Sequence, residues 1–256
     1  MLCAGMVSAL PDITTAAFVL LGALAAGFVT GFAGFGTGLV ASGFWFHVLP
    51  PVFIPPMVVA ASLVGQSVGL IGLRPRFDWP RALPYLAGGV LGVPLGVAAL
   101  NWASPDILRL SIGAFLVVYA AAQLSGLLRL KIGAWGGRPG DAAIGVGGGI
   151  LGGFAGLSGP LPLIWLQLRG GPSVEQRAVY QPFNIVVLAT AGIGMTAAGN
   201  FAGAVVPALL LAVPGTVLGA WLGARLYRRA GEDAFRRIVL VLLLVSGGVL
   251  VAESLF

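Results

Sequence analysis

The chain has 256 residues, 58% of them hydrophobic and only 9% charged, and its mean hydropathy is +1.01. A soluble domain carries roughly 25% charged residues, which excludes that class and predicts a polytopic, all-α membrane protein embedded in the lipid bilayer. The net charge of +6 does not imply nucleic acid, because the basic residues fall in short connections where they orient a membrane chain; the single cysteine, Cys3, excludes an internal disulfide and a cysteine-cluster metal site.

The first residues, "MLCAGMVSALPD", lack a basic start, so no cleavable signal peptide is expected. Residues 13–73 then contain no Asp, Glu, Lys or Arg. A spanning helix needs about 20 apolar residues, so this window holds at least two crossings. Breaks at a glycine-dense phrase and at Pro50-Pro51 divide it into segments 13–30, 33–48 and 52–73. The connection "RPRFDWPR" (74–81) leads to segments 82–101 and 106–128, parted at "NWASPD". After "RLKIGAWGGRPGD" (129–141) come 141–153 and 156–168, again around a glycine phrase, and then "RGGPSVEQR" (169–177). Segments 179–198 and 202–225 flank Gly199-Asn200, and an arginine-rich stretch precedes the last segment, 236–253. This makes ten segments, the four beside the glycine phrases being the short ones.

Displaced by 122 positions, Gly31-Phe32-Ala33-Gly34 falls on Gly153-Phe154-Ala155-Gly156, and Ser62 on Asn184. Displaced by 127, Gly88, Gly92 and Gly96 fall on Gly215, Gly219 and Gly223, while Asp106 and Arg109 fall on Asp233 and Arg236. Several features agreeing in one order predict a duplication, with halves 13–128 and 141–253 inside a single transport domain, 1–256. Basic residues mark the cytoplasmic connections: Arg74, Arg76 and Arg81; Arg129, Lys131 and Arg138; Arg169 and Arg177; and the five arginines from Arg225 to Arg237. The connections at 101–105 and 199–200 carry none. This threading places both termini outside and five segments in each half, and an odd number inverts the second copy. The expectation is an inverted-topology repeat.

Each glycine phrase then forms a broken or re-entrant helical hairpin. Non-helical backbone at membrane depth is tolerated only against protein or a water-filled cavity. Inverted repeats with interrupted helices hold substrate at the midplane, with half-helix N-termini aimed at anionic groups. The second arms are expected to begin near Gly36–Leu39 and Ser158–Leu161, with Pro160 suited to a first helical turn. Bare amides and the helix dipole make such ends anion sites. Gly34, Gly36, Thr37, Gly38, Gly156, Ser158, Gly159 and Pro160 are therefore the candidate substrate-binding residues of the tips. The evenly spaced glycines at 88, 92 and 96, at 215, 219 and 223, and at 145, 149 and 153 fit helix packing instead.

The deep segments offer no ionisable group, only neutral polar ones. Ser62, Gln66, Gln181 and Asn184 join the candidate site, since neutral donors suit an anion that must bind and then leave. His47 is the single histidine and sits beside Pro50-Pro51, where an interfacial role fits better than proton shuttling. Arg169 and Arg177 flank a short connection, where setting topology explains them and attracting an anion is the alternative. Trp79, Trp102 and Trp135 read as interfacial anchors, and Trp45 and Trp165 as deeper residues within reach of the cavity.

The duplicated "GFAGFGTG" and "GFAGLSGP" phrases, each followed by an apolar segment, resemble the sulfite exporter TauE/SafE family of bacterial membrane permeases. The resemblance spans 13–253. It implies transport of a small sulfur-containing anion, such as sulfite or an organosulfonate, across the bacterial inner membrane without ATP hydrolysis or a cofactor. The usual phrase of that family has a glycine triplet followed by a proline in each half; here Phe35-Gly36-Thr37-Gly38 and Leu157-Ser158-Gly159-Pro160 carry hydroxyls in place of glycines.

The expected function is thus a secondary carrier, not an enzyme, whose partners are a small anion and the bilayer. Protons are the candidate coupling ion, and a homodimer is compatible with the chain. Two other readings stay open. One is an anion channel; the other is an intramembrane serine protease using Gly156-Leu157-Ser158-Gly159, which would need a base within hydrogen-bond reach of Ser158.

Overall fold

Asp12 accepts a hydrogen bond from the backbone N–H of Thr15 at 3.3 Å, satisfying one of the bare amides that open a helix. From there α1 runs over Ile13–Ala33 and closes at Gly34, whose φ of 80° belongs to the left-handed region that favours glycine. The computed structural model describes residues 12–73, 76–126, 131–201, 203, 205–227, 240–241, 243–245 and 247–252. Among these every regular element is helical. After α1 come α2 (Thr37–Trp45), a 3₁₀ turn (Pro51–Phe53), α3 (Ile54–Leu73), α4 (Trp79–Trp102) and α5 (Pro105–Leu124). The second part holds α6 (Gly137–Ala155), α7 (Pro160–Arg169), α8 (Ser173–Ala197) and α9 (Val205–Tyr227), then a shorter apolar helix at Leu243–Ala252.

Among the described residues six stretches are long and apolar enough to cross a membrane: α1, Pro51–Ile71, α4, α5, α8 and α9. Leu91, Leu95, Ile193 and Leu210 on these helices are all more than half exposed, as a lipid-facing surface requires. By contrast α2 and α7 have 9 and 10 residues. At 1.5 Å per residue they reach about 14 and 15 Å, roughly half of a 30 Å hydrocarbon core.

In lipid the hydrophobic effect does not draw helices together, so small residues that let backbones approach take over. The most closely packed pairs are α1 with α9 and α4 with α6. A Cβ at Gly27 or Gly31 would strike the carbonyl of Thr216 or Ala220, and one at Gly219 or Gly223 that of Leu24 or Phe28. In the other pair, Gly88, Gly92 and Gly96 lie against Ala142, Val146 and Ile150, while Gly145, Gly149 and Gly153 face Tyr85, Gly89 and Val93. Packing, the role expected of these evenly spaced glycines, is what they perform. Elsewhere α3 lies on α9 and α8 on α4, α1 meets α2 and α3 as α6 meets α7 and α8, and α3 meets α8. Exchanging α1–α4 with α6–α9 maps these neighbours onto themselves.

Helix ends depart from the predicted segments where local chemistry intervenes. α8 begins at Ser173 instead of near 179, because Gly170 and Gly171 (φ 86° and 94°) break the chain after α7 and Pro172 caps the start in extended geometry. Arg177 therefore belongs to a helix and not to a connection. Pro182 removes one backbone donor inside α8, and the carbonyl this frees at Ala178 accepts instead from the N–H of Asp78 at 3.0 Å. The predicted last segment, 236–253, falls partly outside the described residues, and Arg228, Arg229, Arg236 and Arg237 wholly so.

Candidate functional site

The two glycine phrases fold alike. α1 ends at Gly34, Phe35 and Gly36 cross over, and α2 starts at Thr37 with Gly36 as its N-cap (φ 103°). α6 ends at Gly156 (φ 71°), and α7 starts at Pro160 with Gly159 as its N-cap. Neither N-cap supplies a side-chain bond to the first turn, although the opening amides of a helix have no partner within it. The ends are unequal: Pro160 and Pro162 remove two donors from the start of α7, whereas Thr37, Gly38 and Leu39 of α2 all keep theirs.

The tips touch. A Cβ at Gly38 would lie 2.8 Å from the side chain of Leu157 and 3.3 Å from the carbonyl oxygen of Gly156. Both tips lean on Val58 of α3, which a Cβ at Gly38 would approach to 2.7 Å. Between them lies a void of about 20 Å³ lined by Phe35, Gly36, Thr37, Gly38, Leu39, Ser62, Gln66, Gly156, Leu157, Ser158, Gly159, Pro160, Asn184 and Leu188. Ten of the twelve residues picked out in the sequence are brought together here. Ser62 and Asn184 come from the middle stretches of α3 and α8. The void has room for about one water.

Hydrogen bonding tightens the rim. Ser158 Oγ donates to Asn184 Oδ1 at 3.1 Å, and the Asn184 amide stands so close to Gly159 that a Cβ there would lie 2.9 Å from Nδ2. Across the void, the hydroxyls of Thr30 and Thr37 are paired. Gln66 Oε1 is buried without a partner. None of the lining residues is ionisable.

Gly34 and Gln181 lie outside this lining. Gly34 turns against the guanidinium of Arg177; Gln181 is buried with its Oε1 unpartnered. Trp45 and Trp165 line neither cavity. Trp45 Nε1 donates to the carbonyl of Val19 at 3.2 Å, and Trp165 Nε1 to Asp141 Oδ1 at 2.8 Å. Each ties a short arm back to the helix before it, and Val19 and Asp141 are themselves 122 positions apart. Arg169 lies 3.4 Å from Asp141 and donates to the carbonyl of Gly137 at 2.8 Å. It is a fastener between α6 and α7.

Sequence reasoning overlooked a second space. A cavity of about 150 Å³ lies beside the void and shares Phe35, Gly36 and Leu39 with it; its other walls include Phe32, Ala33, Gln167, Ser173, Gln176 and Tyr180. The Phe35 ring meets the Tyr180 ring edge-on, centroids 5.9 Å apart, and the Tyr180 hydroxyl donates to the carbonyl of Ala33 at 2.8 Å. Phe35 thus partitions the two spaces. Its place inside a glycine phrase was the signal available, being the one bulky side chain between two helix ends.

A family model described as sulfite exporter TauE/SafE matches residues 19–250, nearly the whole chain. No curated protein and no solved structure matches significantly.

Proposed function

This chain belongs to the sulfite exporter TauE/SafE family of membrane transporters, and from that we propose a secondary carrier that moves a small anion, sulfite or a sulfonate-like organosulfur anion, across the bacterial inner membrane. The observation that carries the reading is the meeting of two uncapped helix starts, α2 and α7, in a void with no ionisable side chain. Each start presents a positive dipole end and unshared amides, which attract an anion without the grip of a buried arginine. Ser158, Thr37, Gln66 and Asn184 supply neutral hydrogen bonds around it, and the glycines allow close approach. Gly36, Gly38, Gly156, Gly159 and Pro160 shape the cradle, Ser62 completes its α3 wall, and Gly34 and Gln181 support it from behind.

Alternating access follows from the way helices are shared. The pairing of α1 with α9 and of α4 with α6 ties each broken helix of one half to a helix of the other. An inverted repeat, 13–128 and 141–253, accounts for that exchange and allows two bundles to rock about the tips. Arg169 and Arg177, on either side of the turn between α7 and α8, mark the cytoplasmic side, so the larger cavity is the inner vestibule and Phe35 the partition between vestibule and site. The void between the tips is too small for any oxyanion, which favours a carrier with a closed resting site over an open channel. Ser158 bonds an amide oxygen, which cannot act as a general base, and His47 is exposed at the far end of α2; neither favours proteolysis. Protons enter as coupling ions through the substrate's own titration.

Purified full-length protein tests this directly in a thermal-shift screen of sulfite, thiosulfate, sulfonates, sulfate and carboxylates, followed by labelled uptake into proteoliposomes. A ligand that binds the folded state raises its melting temperature. The expected result is a saturable shift and saturable uptake with sulfite or a sulfonate. Uptake that never saturates, or a response to carboxylates alone, would contradict the proposal.

A further inference from the structure

Arg177 stands in the second turn of α8 with 9% of its surface exposed. Its Nε and Nη2 are buried and have no hydrogen-bond partner. Among the described residues no carboxylate lies within ion-pair distance of it, in contrast to Arg81 and Arg169. What holds it is the face of Tyr227, 5.0 Å from its Cζ, and the turn at Gly34. The end of α1 is a weak counterweight, because its Thr30 carbonyl is taken by the Gly34 N–H and its Ala33 carbonyl by the Tyr180 hydroxyl. A buried charge with no counterion among the described residues is costly, and this one is retained beside the turn that ends α1.

The unused pair of donors is chemically specific. Nε–H and Nη2–H project from the same edge of the guanidinium plane, the edge that grips two oxygens of a single oxyanion. A Cβ on Gly34 would lie 2.9 Å from both nitrogens and 3.0 Å from Cζ, over the guanidinium plane and not ahead of that edge. Glycine therefore lets the turn that ends α1 pack onto the guanidinium. On α8, Ser173, Gln176 and Tyr180 line the larger cavity, and Arg177 borders the same helical face at i+4 from Ser173. Phe32, on the opposite wall, packs against Tyr227 with ring centroids 5.7 Å apart. The guanidinium is thus set behind the vestibule wall, at the root of the first hairpin.

We propose that Arg177 is a second anion subsite, which grips a small oxyanion bidentately on its way between the vestibule and the tips. The inference rests on the carrier reading above and adds a charged stage to a neutral central site. Movement of the first hairpin tip, needed to enlarge the closed void, also draws the Gly34 turn off the guanidinium. The arginine captures the anion, and the neutral tips receive it without holding it fast.

The test uses full-length protein in proteoliposomes, with sulfite presented from each face in turn, and compares wild type with Arg177→Gln and Arg177→Lys. Loss of a charge-assisted hydrogen-bond pair predicts a rise in KM of about 10- to 100-fold for Arg177→Gln, on the face bearing the 169–177 connection and much less on the other. Arg177→Lys should fall between, and the weakening of wild-type KM by added salt should largely vanish in Arg177→Gln. An arginine with only a structural role would lower the melting temperature and leave KM and its salt dependence unchanged; that result overturns the subsite while the carrier stands. Should wild type fail to take up sulfite or any sulfonate, the carrier reading falls and the subsite with it. If Arg177→Gln does not fold, phenylglyoxal labelling of wild-type Arg177 decides: protection by methanesulfonate, which unlike sulfite does not add to the reagent's aldehyde, but not by chloride supports the subsite, and equal labelling in both overturns it.

Discussion

At Gly159 the backbone takes φ −73° and ψ −39°, torsions open to any L-residue, so a substitution there tests space alone. Gly159→Ala would push a methyl onto the Asn184 amide and part it from Ser158 at a cost of about 1–3 kcal/mol. The expected outcome is folded protein in the membrane with sulfite uptake reduced at least about tenfold, read from uptake normalised to monodisperse protein. Gly36 is a poorer probe, because its φ of 103° adds backbone strain to any side chain. Most of the cradle was legible at this scale, since hydroxyls and amides without charges stand out in an apolar chain. Arg177 was not, because a basic residue beside a connection reads as a topology marker until the start of α8 is known. Asp141 was hidden in the same way, as the last charge before an apolar window.

Among the elements, the tightest constraint lies where α4 and α6 share glycines. A side chain at Gly92 would meet the backbone of Val146 and the amide of Ile150, which a Cβ would approach to 3.0 Å. Backbone cannot yield as a side chain does, so Gly92→Leu is expected to cost more than about 3 kcal/mol. Loss of folded protein in size-exclusion after extraction would show it, and a stable, active variant would refute this packing. Spacing of four residues made these stripes readable as packing faces from the chain alone. Helix ends were less legible. The breaks at Gly34–Gly36 and Gly156–Gly159 were visible because glycine clusters there replace even spacing, but Pro172 and the paired glycines before it moved the start of α8 by most of two turns. The larger cavity, lined from six helices, leaves no local pattern.

For the molecule as a whole, composition and charge-free windows settle the membrane class, and duplicated phrases supply the expectation of two halves. What no linear pattern conveys is how the helices interlock, with α1 clasped to α9 and α6 to α4, so that each broken helix packs on a helix distant in sequence. Function then depends on whether the two short arms, approaching from different halves, share one anion. Hydrogen exchange measured by mass spectrometry, with and without saturating sulfite, reads their amides directly. Slowed exchange is expected in 36–40 and in 157–163 together, with Gly159→Ala abolishing both effects. Protection confined to one tip, or found only in segments distant from both, would contradict it.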